Sequence, residues 1–486
     1  MRFEFRTEPF SHQRGYFENR LDLKRWALFW EMGTGKTKVV LDHAQHLFLQ
    51  GEIDTLLVLA PNGVHRNWIT DEVPVHVPEW LIKETELFFW QNNKSNTDTY
   101  KRRLREIKEH QGLVIITIPY TSVITKNCKK FLYDIVESRK CFYVADEAVH
   151  FKNPNAKRSK TIHASAKYAN WRRVLTGTPL ENGPFDAYSI MKFLDLDFWK
   201  QYGLDNYAMF KSHFGVYAEH EYVKDSRGKQ VELLVGYKNL DELAQILKAH
   251  SDRVLKDDVL DLPPKLFTKR YFEITKEQRR IYDELKDEYM TWLTETELVT
   301  APLAITRLLR FQQVCSGYIP TPDGEEPIHE IAGGNPRLSL LGDIVEEVPH
   351  QGIIFAKFTP DIEKIIGLLG PKKCVRYDGK VDDDERAHNK KLFQDGKRQW
   401  FVANQDCAGE GLTLVQARSV IYYNTTFRLG KRLQSEDRAH RPGQKHPVGY
   451  TDLVAQDTVD EKIISDLREK RDVALYVLGD EFKAWI

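Results

Sequence analysis

The sequence predicts an α/β protein made of two lobes, each built on a parallel β-sheet. The first observation is a set of short, continuous apolar runs separated by charged segments with helical spacing. Apolar strands that alternate with helices are typical of parallel sheets covered on both faces. The second is that the runs form two series, one ending near residue 180 and the other beginning near residue 350. The runs are WALFW (26–30), TLLVLA (55–60), LVIITI (113–118), CFYVA (141–145) and RRVLT (172–176), followed by GIIFA (352–356), CVRY (374–377), WFVA (400–403) and SVIYY (419–423).

The region between the two series predicts an insertion of a different kind. EYVKDSRGKQVELLVGYK (221–238) predicts a β-hairpin that turns at Ser226–Gly228. LDELAQILKAH and TKEQRRIYDELKDEYMTWL have helical spacing, LDLPPK (260–265) predicts a proline-stiffened boundary between the lobes, and TPDGEEPIHEIAGGNP (321–336) predicts an exposed loop. The predicted domains are 1–198 (first lobe), 199–262 (hairpin and helical insertion of that lobe), 263–345 (linker and helical protrusion of the second lobe) and 346–486 (second lobe).

Composition excludes several classes of protein. The chain has 486 residues and equal numbers of basic and acidic residues, 71 of each, so net charge predicts no partner. Its five cysteines are scattered without metal-type spacing, which excludes a zinc site or a disulfide framework and favours a reducing, cytoplasmic compartment. No apolar run approaches the roughly 20 residues of a membrane span, so no membrane partner is expected.

The segment EMGTGKT (31–37) predicts a phosphate-binding loop. It follows the strand WALFW and precedes KVVLDHAQHLFLQ, whose spacing is helical, and this strand–loop–helix context is the one a P-loop requires. Backbone N–H groups and the helix N-terminus attract a phosphate. Trp30 occupies the position at which the general pattern has its first glycine. The candidate nucleotide-binding residues are Gly33, Thr34, Gly35, Lys36, for the β- and γ-phosphates, and Thr37, for Mg²⁺.

Asp146 and Glu147 follow a strand of the first series, where ligands of α/β sheets bind. Asp146 there can share a Mg²⁺ with Thr37, and Glu147 can polarise an attacking water. In VLTGTPLEN (174–182), Thr176 and Thr178 are candidates to hydrogen-bond this acidic pair. The alternative is that Thr178 caps a helix that begins at Pro179, and the two interpretations are compatible.

These segments together resemble the Swi/Snf-type ATPases of helicase superfamily two over nearly the whole chain. The resemblance implies two RecA-like lobes, ATP and Mg²⁺ as ligands, and DNA-dependent ATP hydrolysis. The motifs that carry it are PFSHQRGYF, EMGTGKT, LVLAPNGVHRNW, ITIPYTSV, DEAVHFKNPNAKRSK, LTGTPLENGPFDAYSIMKFL, LKDDVLDLPPK, ITKEQRRIYDEL, GIIFAKFT, YDGKVDDDER, AGEGLTL, LQSEDRAHRPGQ and DTVDEKI.

The resemblance also implies roles for individual residues. Gln13 would contact the adenine, and Gly411 would belong to the nucleotide site. Gln434, Arg438 and Arg441 form the last motif, whose arginines would stabilise the γ-phosphate from the second lobe. The alternative is that Arg438 and Arg441 pair with the neighbouring acids Glu436 and Asp437. Val149 stands where many relatives have histidine, so a coupling contact from that position is in question.

The expected partner is duplex or branched DNA, bound through its phosphates without sequence specificity. The resemblance implies contacts from the loops after Pro61, Thr117 and Thr176 and from Lys357, Thr359 and Gly411–Thr413. The hairpin, with Lys224, Arg227 and Lys229, is either a wedge that guides the duplex or a surface feature without that role. Tryptophans such as Trp68, Trp80, Trp90 and Trp171 are expected in the core rather than stacked on bases.

The sequence therefore favours an ATP-driven DNA translocase, monomeric as a core motor. Some segments, including GYKNLDELAQIL and LQSEDR, resemble the annealing-helicase branch, which implies fork or junction remodelling and branch migration in replication, recombination or repair, with single-stranded DNA contacted at forks. The alternatives are a motor that displaces proteins from DNA and an ATP-gated clamp that does not hydrolyse. The expected location is the cytoplasm, at the nucleoid or other DNA, or the host cytoplasm for a viral protein.

Overall fold

The computed structural model describes residues 3–62, 64–224, 230–295, 301–320, 329–405 and 412–480. Within them the strands are β1 (Arg25–Trp30), β2 (Thr55–Ala60), β3 (Glu86–Phe89), β4 (Val114–Pro119), β5 (Cys141–Asp146), β6 (Trp171–Leu175), β7 (Gly215–Lys224), β8 (Gln230–Tyr237), β9 (Ser251–Val254), β10 (Lys265–Phe272), β11 (Gly352–Phe355), β12 (Cys374–Tyr377), β13 (Trp400–Ala403), β14 (Ser419–Tyr422) and β15 (Val448–Ala455). The helices are α1 (Ser11–Asn19), α2 (Lys36–Leu49), α3 (Val64–Asn67), α4 (Val73–His76), α5 (Glu79–Glu84), α6 (Asp98–Glu109), α7 (Lys126–Ser138), α8 (Lys157–Ala166), α9 (Asp186–Leu194), α10 (Tyr207–Phe214), α11 (Leu240–Ala249), α12 (Lys256–Val259), α13 (Lys276–Glu295), α14 (Ala301–Cys315), α15 (Pro336–Glu347), α16 (Thr359–Leu369), α17 (Asp383–Gln394), α18 (Leu429–Glu436) and α19 (Val459–Leu478).

The chain divides into two compact units. The first unit comprises residues 3–214, Asn239–Asp261 and Val473–Asp480, and the second comprises Gly215–Lys238 and Leu262–Asp472. The division near residue 261 falls within the proline-rich segment LDLPPK. In the described residues, no helix is both long and apolar enough to cross a membrane.

The first unit contains a parallel sheet with strand order β3-β4-β2-β5-β6-β1-β9. Its central strands are buried on both faces, since alternate residues of β2 enter two different cores. Leu57 and Leu59 belong to one, and Leu56 and Val58 belong to the other. This explains why the central strands read as continuous apolar runs.

The second unit contains a parallel sheet with strand order β10-β15-β14-β11-β13-β12, also covered on both faces. The predicted class, two α/β lobes with parallel sheets, is confirmed. Strands β3, β9, β10 and β15 were not predicted, and three of them lie at sheet edges.

The predicted hairpin is also confirmed, because β7 and β8 pair in an antiparallel manner. It begins at Gly215, earlier than predicted. The predicted turn with Arg227 and Lys229 lies outside the described residues, as do Gly411 and the first half of the predicted loop at 321–336.

Candidate functional site

The loop between β1 and α2 has the backbone that phosphate binding requires. Gly33 and Gly35 have positive φ angles of 85° and 84°. A Cβ atom at Gly35 would also overlap the side-chain amide of Gln13. A larger residue at position 35 would therefore strain the backbone and would displace the Gln13 amide from its place against the loop.

Lys36 lies in the first turn of α2 and is largely buried. Its ammonium donates hydrogen bonds to the carbonyl oxygens of Trp30, at 2.8 Å, and Glu31, at 3.3 Å. The Trp30 side chain is buried and contacts the ring of His12 edge-on, with ring centres 4.9 Å apart. Position 30 thus contributes its carbonyl group to the loop and its side chain to the core, which accounts for a tryptophan at this position.

Helix α1 supports the loop from outside. The Gln13 side chain is buried, and its Nε2 donates to the carbonyl of Gly35 at 3.2 Å, while its Oε1 accepts from the N–H of Phe10 at 2.8 Å. A ring nitrogen of His12 lies 2.8 Å from the carbonyl oxygen of Thr34. Sequence reasoning identified Gln13 but missed His12. The contact of Gln13 with adenine remains a prediction.

The acidic pair stands at the carboxyl edge of the same sheet. Asp146 ends β5, is 7% exposed and accepts a 2.9 Å hydrogen bond from the indole N–H of Trp68. Burial raises the pKa of Asp146, while the charge of Lys36 and the Trp68 hydrogen bond act to lower it. A nearby cation therefore stabilises the charged form of this carboxylate.

Glu147 is half-buried and adopts a left-handed backbone conformation, with φ 51° and ψ 58°. Non-glycine residues rarely adopt this conformation, and they do so preferentially at functional sites. The hydroxyl of Tyr120 donates to the carbonyl of Asp146 at 2.7 Å, and its ring stacks on His150 with centres 5.2 Å apart. Tyr120, missed by sequence reasoning, thus braces the chain on either side of Glu147, whereas Val149 is buried in the core.

The residues suit Mg²⁺ in their chemistry. Thr37 and Asp146 offer a hydroxyl and a carboxylate oxygen, and Mg²⁺ prefers such hard ligands, completing its shell with water and phosphate oxygens. Burial disfavours the charged form of Asp146, and a bound cation would offset this cost. Thr37 and Asp146 would hold the ion.

The loop after β6 contacts the phosphate loop directly. A Cβ at Gly177 would stand 3.2 Å from both the Cα of Glu31 and the carbonyl oxygen of Trp30. Thr176 is buried, and its hydroxyl accepts from the N–H of Thr178 at 3.2 Å. The helix predicted at Pro179 is wrong, because this proline lies in a turn and α9 begins only at Asp186. A contact of Thr176 or Thr178 with the acidic pair stays a prediction.

In the second unit, the arginine motif is bound to the segment that precedes β14. Arg438 is 1% exposed and donates to the carbonyl of Leu412 at 3.2 Å. Arg441 donates to the same carbonyl at 2.8 Å and to the hydroxyl of Thr413 at 2.9 Å. The neighbouring acids Glu436 and Asp437 both form salt bridges with Lys265.

Gln434 projects from α18, ahead of the arginines. It is 8% exposed, and its buried Oε1 has no hydrogen-bond partner among the residues that the structure describes. A buried acceptor without a partner costs free energy. This amide is therefore suited to accept a hydrogen bond from a ligand or from a rearranged loop.

Buried amides also fix the carboxyl edge of the second sheet. The backbone N–H of Lys357 donates to Asn424 Oδ1 at 2.6 Å, and its ammonium donates to Gln312 Oε1 at 2.8 Å. Asn424 in turn donates to Asp361 at 2.5 Å. Lys357 thus has a defined position, and α16 begins two residues later, at Thr359.

The phosphate loop, the acidic pair and the two parallel-sheet units define a nucleotide-binding α/β protein of the helicase kind. Two family models match the chain: the SNF2-related domain over residues 26–316 and the helicase conserved C-terminal domain over residues 336–443. The first covers more than half of the chain, so the chain belongs to the SNF2-related family of superfamily-two ATPases.

Curated relatives agree with this assignment. An uncharacterised ATP-dependent helicase of Mycoplasma genitalium is 23% identical over 93% of this chain and 40% of its own length. The human SWI/SNF-related matrix-associated actin-dependent regulator of chromatin subfamily A member 1 is 28% identical over 89% of this chain and 40% of its own length. The chain thus spans about 40% of the length of these relatives.

Among solved structures, the SWI2/SNF2 ATPase core of Sulfolobus solfataricus in complex with dsDNA is 23% identical, with a TM-score of 0.41. The alignment covers 98% of this chain and 95% of that one. The family assignment rests on the family models.

Proposed function

We propose that the chain is the motor core of a DNA-dependent ATPase that moves along duplex DNA. One observation carries the proposal: Lys36, Asp146 and Glu147 stand at the carboxyl edge of one sheet, and the charge of Lys36 acts on Asp146. Membership of the SNF2-related family supports it. Bound Mg²⁺ would supply charge neutralisation to the phosphates.

The chain's own groups have distinct tasks in this proposal. Lys36 exchanges its carbonyl partners for the β- and γ-phosphates, since its ammonium already lies over the loop. Glu147 orients and polarises the attacking water, and its fixed backbone limits where the carboxylate can be placed. Arg438 and Arg441 stabilise the transferring phosphoryl group during turnover.

DNA binding is proposed for the loops at the carboxyl edges of both sheets. In the first unit, the hydroxyl of Thr121 donates to Asn62 Oδ1 at 2.8 Å, which joins the loops that follow β2 and β4. In the second unit, Lys357 is held by Asn424 and Gln312. Hydroxyl, amide and ammonium groups of this kind bind phosphates without reading sequence.

The experiment is an ATPase assay with and without duplex DNA. Wild type is expected to hydrolyse ATP faster with DNA, and Glu147→Gln is expected to lose about a hundredfold or more, since it retains the shape but not the base. Glu109→Gln, an exposed acid on α6, is the matched control and should behave as wild type. A clamp that binds DNA without turnover would show ATP-dependent DNA binding but no stimulated hydrolysis, which would overturn the proposal.

A finer proposal concerns the DNA structure. We propose that the preferred substrates are forks and junctions, remodelled by branch migration in replication, recombination or repair, and the support is the likeness of GYKNLDELAQIL and LQSEDR to the annealing-helicase branch. ATPase stimulation by forks, four-way junctions, linear duplex and single strands tests this. Equal stimulation by all would remove the fork assignment, and displacement of bound protein from linear duplex would favour the alternative motor.

A further inference from the structure

Arg253, on the edge strand β9, contacts two parts of the nucleotide site at once. Its Nη1 donates to the carbonyl of Phe29 at 2.7 Å and to the carbonyl of Gly177 at 3.0 Å. Phe29 lies on the strand that leads into the phosphate loop, and Gly177 lies in the loop packed against it. One guanidinium group therefore ties these two segments together.

The other side of the same guanidinium is bound by Asp480. Arg253 Nε lies 3.1 Å from both carboxylate oxygens of Asp480, and Nη2 lies 2.7 Å from Oδ2. The Asp480 side chain is 3% exposed and that of Arg253 is 18% exposed. This two-point pairing fixes the plane of the guanidinium group, and so the direction in which Nη1 points.

The turn that ends α19 positions Asp480 beside Arg253. Gly479 has φ 74°, and its N–H donates to the carbonyl of Tyr476 at 3.2 Å, while the N–H of Asp480 donates to Leu475 at 3.0 Å. This is the Schellman arrangement, in which a left-handed glycine ends a helix and reverses the chain. Val477, in the last turn, is buried in the core of the first unit.

The start of the phosphate loop is also held by β9 and the turn that follows it. The N–H of Glu31 donates to the carbonyl of Val254 at 2.9 Å, and Glu31 Oε2 accepts from the N–H of Lys256 at 2.9 Å. Glu31 Oε1 lies 3.7 Å from Arg253 Nη2. Lys36 donates a hydrogen bond to the carbonyl of Glu31. Because Glu31 contacts both Arg253 and Lys36, a displacement of Arg253 would be transmitted to the phosphate-binding lysine through Glu31.

We propose that Arg253 and Asp480 are positioning residues for ATP hydrolysis, through which the end of α19 sets the relative placement of the phosphate loop and the Gly177 loop. The inference rests on the proposed ATPase function. Arg253, Asp480 and the residues of α19 from Val473 onward all belong to the first unit, as do the phosphate loop and the Gly177 loop.

The test measures kcat and KM for ATP, with saturating duplex DNA, together with Tm. Arg253→Lys keeps the charge but lacks the planar fork that pairs with Asp480 at two points while donating to both carbonyls. We therefore expect kcat to fall about tenfold, equivalent to about 1.4 kcal/mol of barrier, while KM changes less than about twofold. Asp480→Ala should produce a similar loss and Asp480→Asn a smaller one. Tyr476→Phe is the matched control. Tyr476 lies in the last turn of α19, and its hydroxyl donates to Asp241 at 2.6 Å rather than to the Arg253–Asp480 pair.

The outcomes separate the inference from the function. Wild-type kcat in folded Arg253→Lys and Asp480→Ala proteins would overturn the inference and leave the ATPase intact. A loss of turnover that merely follows the folded fraction, or one shared by Tyr476→Phe, would also overturn it. A wild-type protein without DNA-stimulated hydrolysis would instead overturn the proposed function.

Discussion

The phosphate-loop lysine and the arginine pair are both held by backbone carbonyls, but over very different distances along the chain. Lys36 bonds to Trp30 and Glu31, six and five residues before it. Arg438 and Arg441 bond to Leu412, 26 and 29 residues before them. The lysine's position is a local property of one loop, whereas the position of the arginines depends on the folding of a large part of the second unit.

The largest effect is expected from the local cation. Lys36→Met removes the ammonium that would bind the phosphates, and turnover should fall by about a thousandfold, which corresponds to about 4 kcal/mol of barrier. Because the loop backbone is held by Gln13 and by glycine geometry, Tm should change little. ATPase rates and thermal unfolding measure the two quantities.

Lys129→Met, on an exposed position of α7, is the control for that substitution. An active Lys36→Met protein would show that the lysine does not act on phosphate, and the comparison with the arginines would lose its basis.

The arginines should separate into a catalytic effect and a structural one. Arg441→Gln is expected to lower kcat by about a hundredfold with ATP binding retained, since the arginine acts on the transition state. Arg438→Gln should lower both kcat and Tm, because its side chain is only 1% exposed and donates to the carbonyl of Leu412 at 3.2 Å, so the substitution removes both buried packing and a hydrogen bond. ATPase kinetics, nucleotide binding and thermal unfolding distinguish the two.

Arg418 is an exposed arginine that immediately precedes β14, and Arg418→Gln should leave all three quantities unchanged. Equal losses of Tm in Arg441→Gln and Arg438→Gln would mean that both arginines are structural.

The same contrast explains how much could be predicted from the sequence. The central strands and the phosphate loop were predictable because their signals are contiguous: apolar runs in the first case and EMGTGKT in the second. Strands such as SDRV (β9) and KLFTKRYF (β10) were missed because edge strands are only partly covered and therefore carry polar residues.

Contacts between distant segments were also beyond the sequence. Trp68 was expected only to fill the core, where it does lie, but its indole also bonds to Asp146. Tyr120 and Gly177 follow two other strands, β4 and β6, and the motifs that contain them do not indicate these contacts. Such contacts depend on strand order, which places β5 and β6 next to each other while residues 147–170 separate them in the chain.

A smaller effect sharpens the view that the arginine motif depends on folding. Gln444 is buried, and its Nε2 donates to the carbonyls of Val415, Ala417 and Ala439 at 3.0–3.1 Å. Gln444→Leu leaves these acceptors with fewer partners and should lower the free energy of unfolding by about 2 kcal/mol. Urea unfolding measures this, and Lys445→Gln, at the exposed next position, is the control. Unchanged stability would mean that the segment carrying Arg438 and Arg441 keeps its shape without the Gln444 amide.

The last effect concerns the buried carboxylate of the second unit, and it depends on pH. Burial raises the pKa of Asp361 to about 7, while Arg337, Asn424, Tyr318 and Lys364 act in the opposite direction. A folded-state pKa above the unfolded value of 3.8 means that the folded protein binds more protons between about pH 4 and about pH 7. The contribution of this proton to stability is present below that window and is lost as pH rises through it.

Asp361→Asn stays neutral, so its free energy of unfolding relative to wild type should increase from about pH 5 to about pH 8, by roughly 1–3 kcal/mol. Urea unfolding of both proteins across this range measures the difference, with the exposed Asp343→Asn on α15 as control. A difference that stays constant with pH would show that Asp361 remains charged in the fold. The hydrogen bonds that run from Asp361 through Asn424 to Lys357 would then depend on a charged carboxylate, as the site of the first unit depends on Asp146.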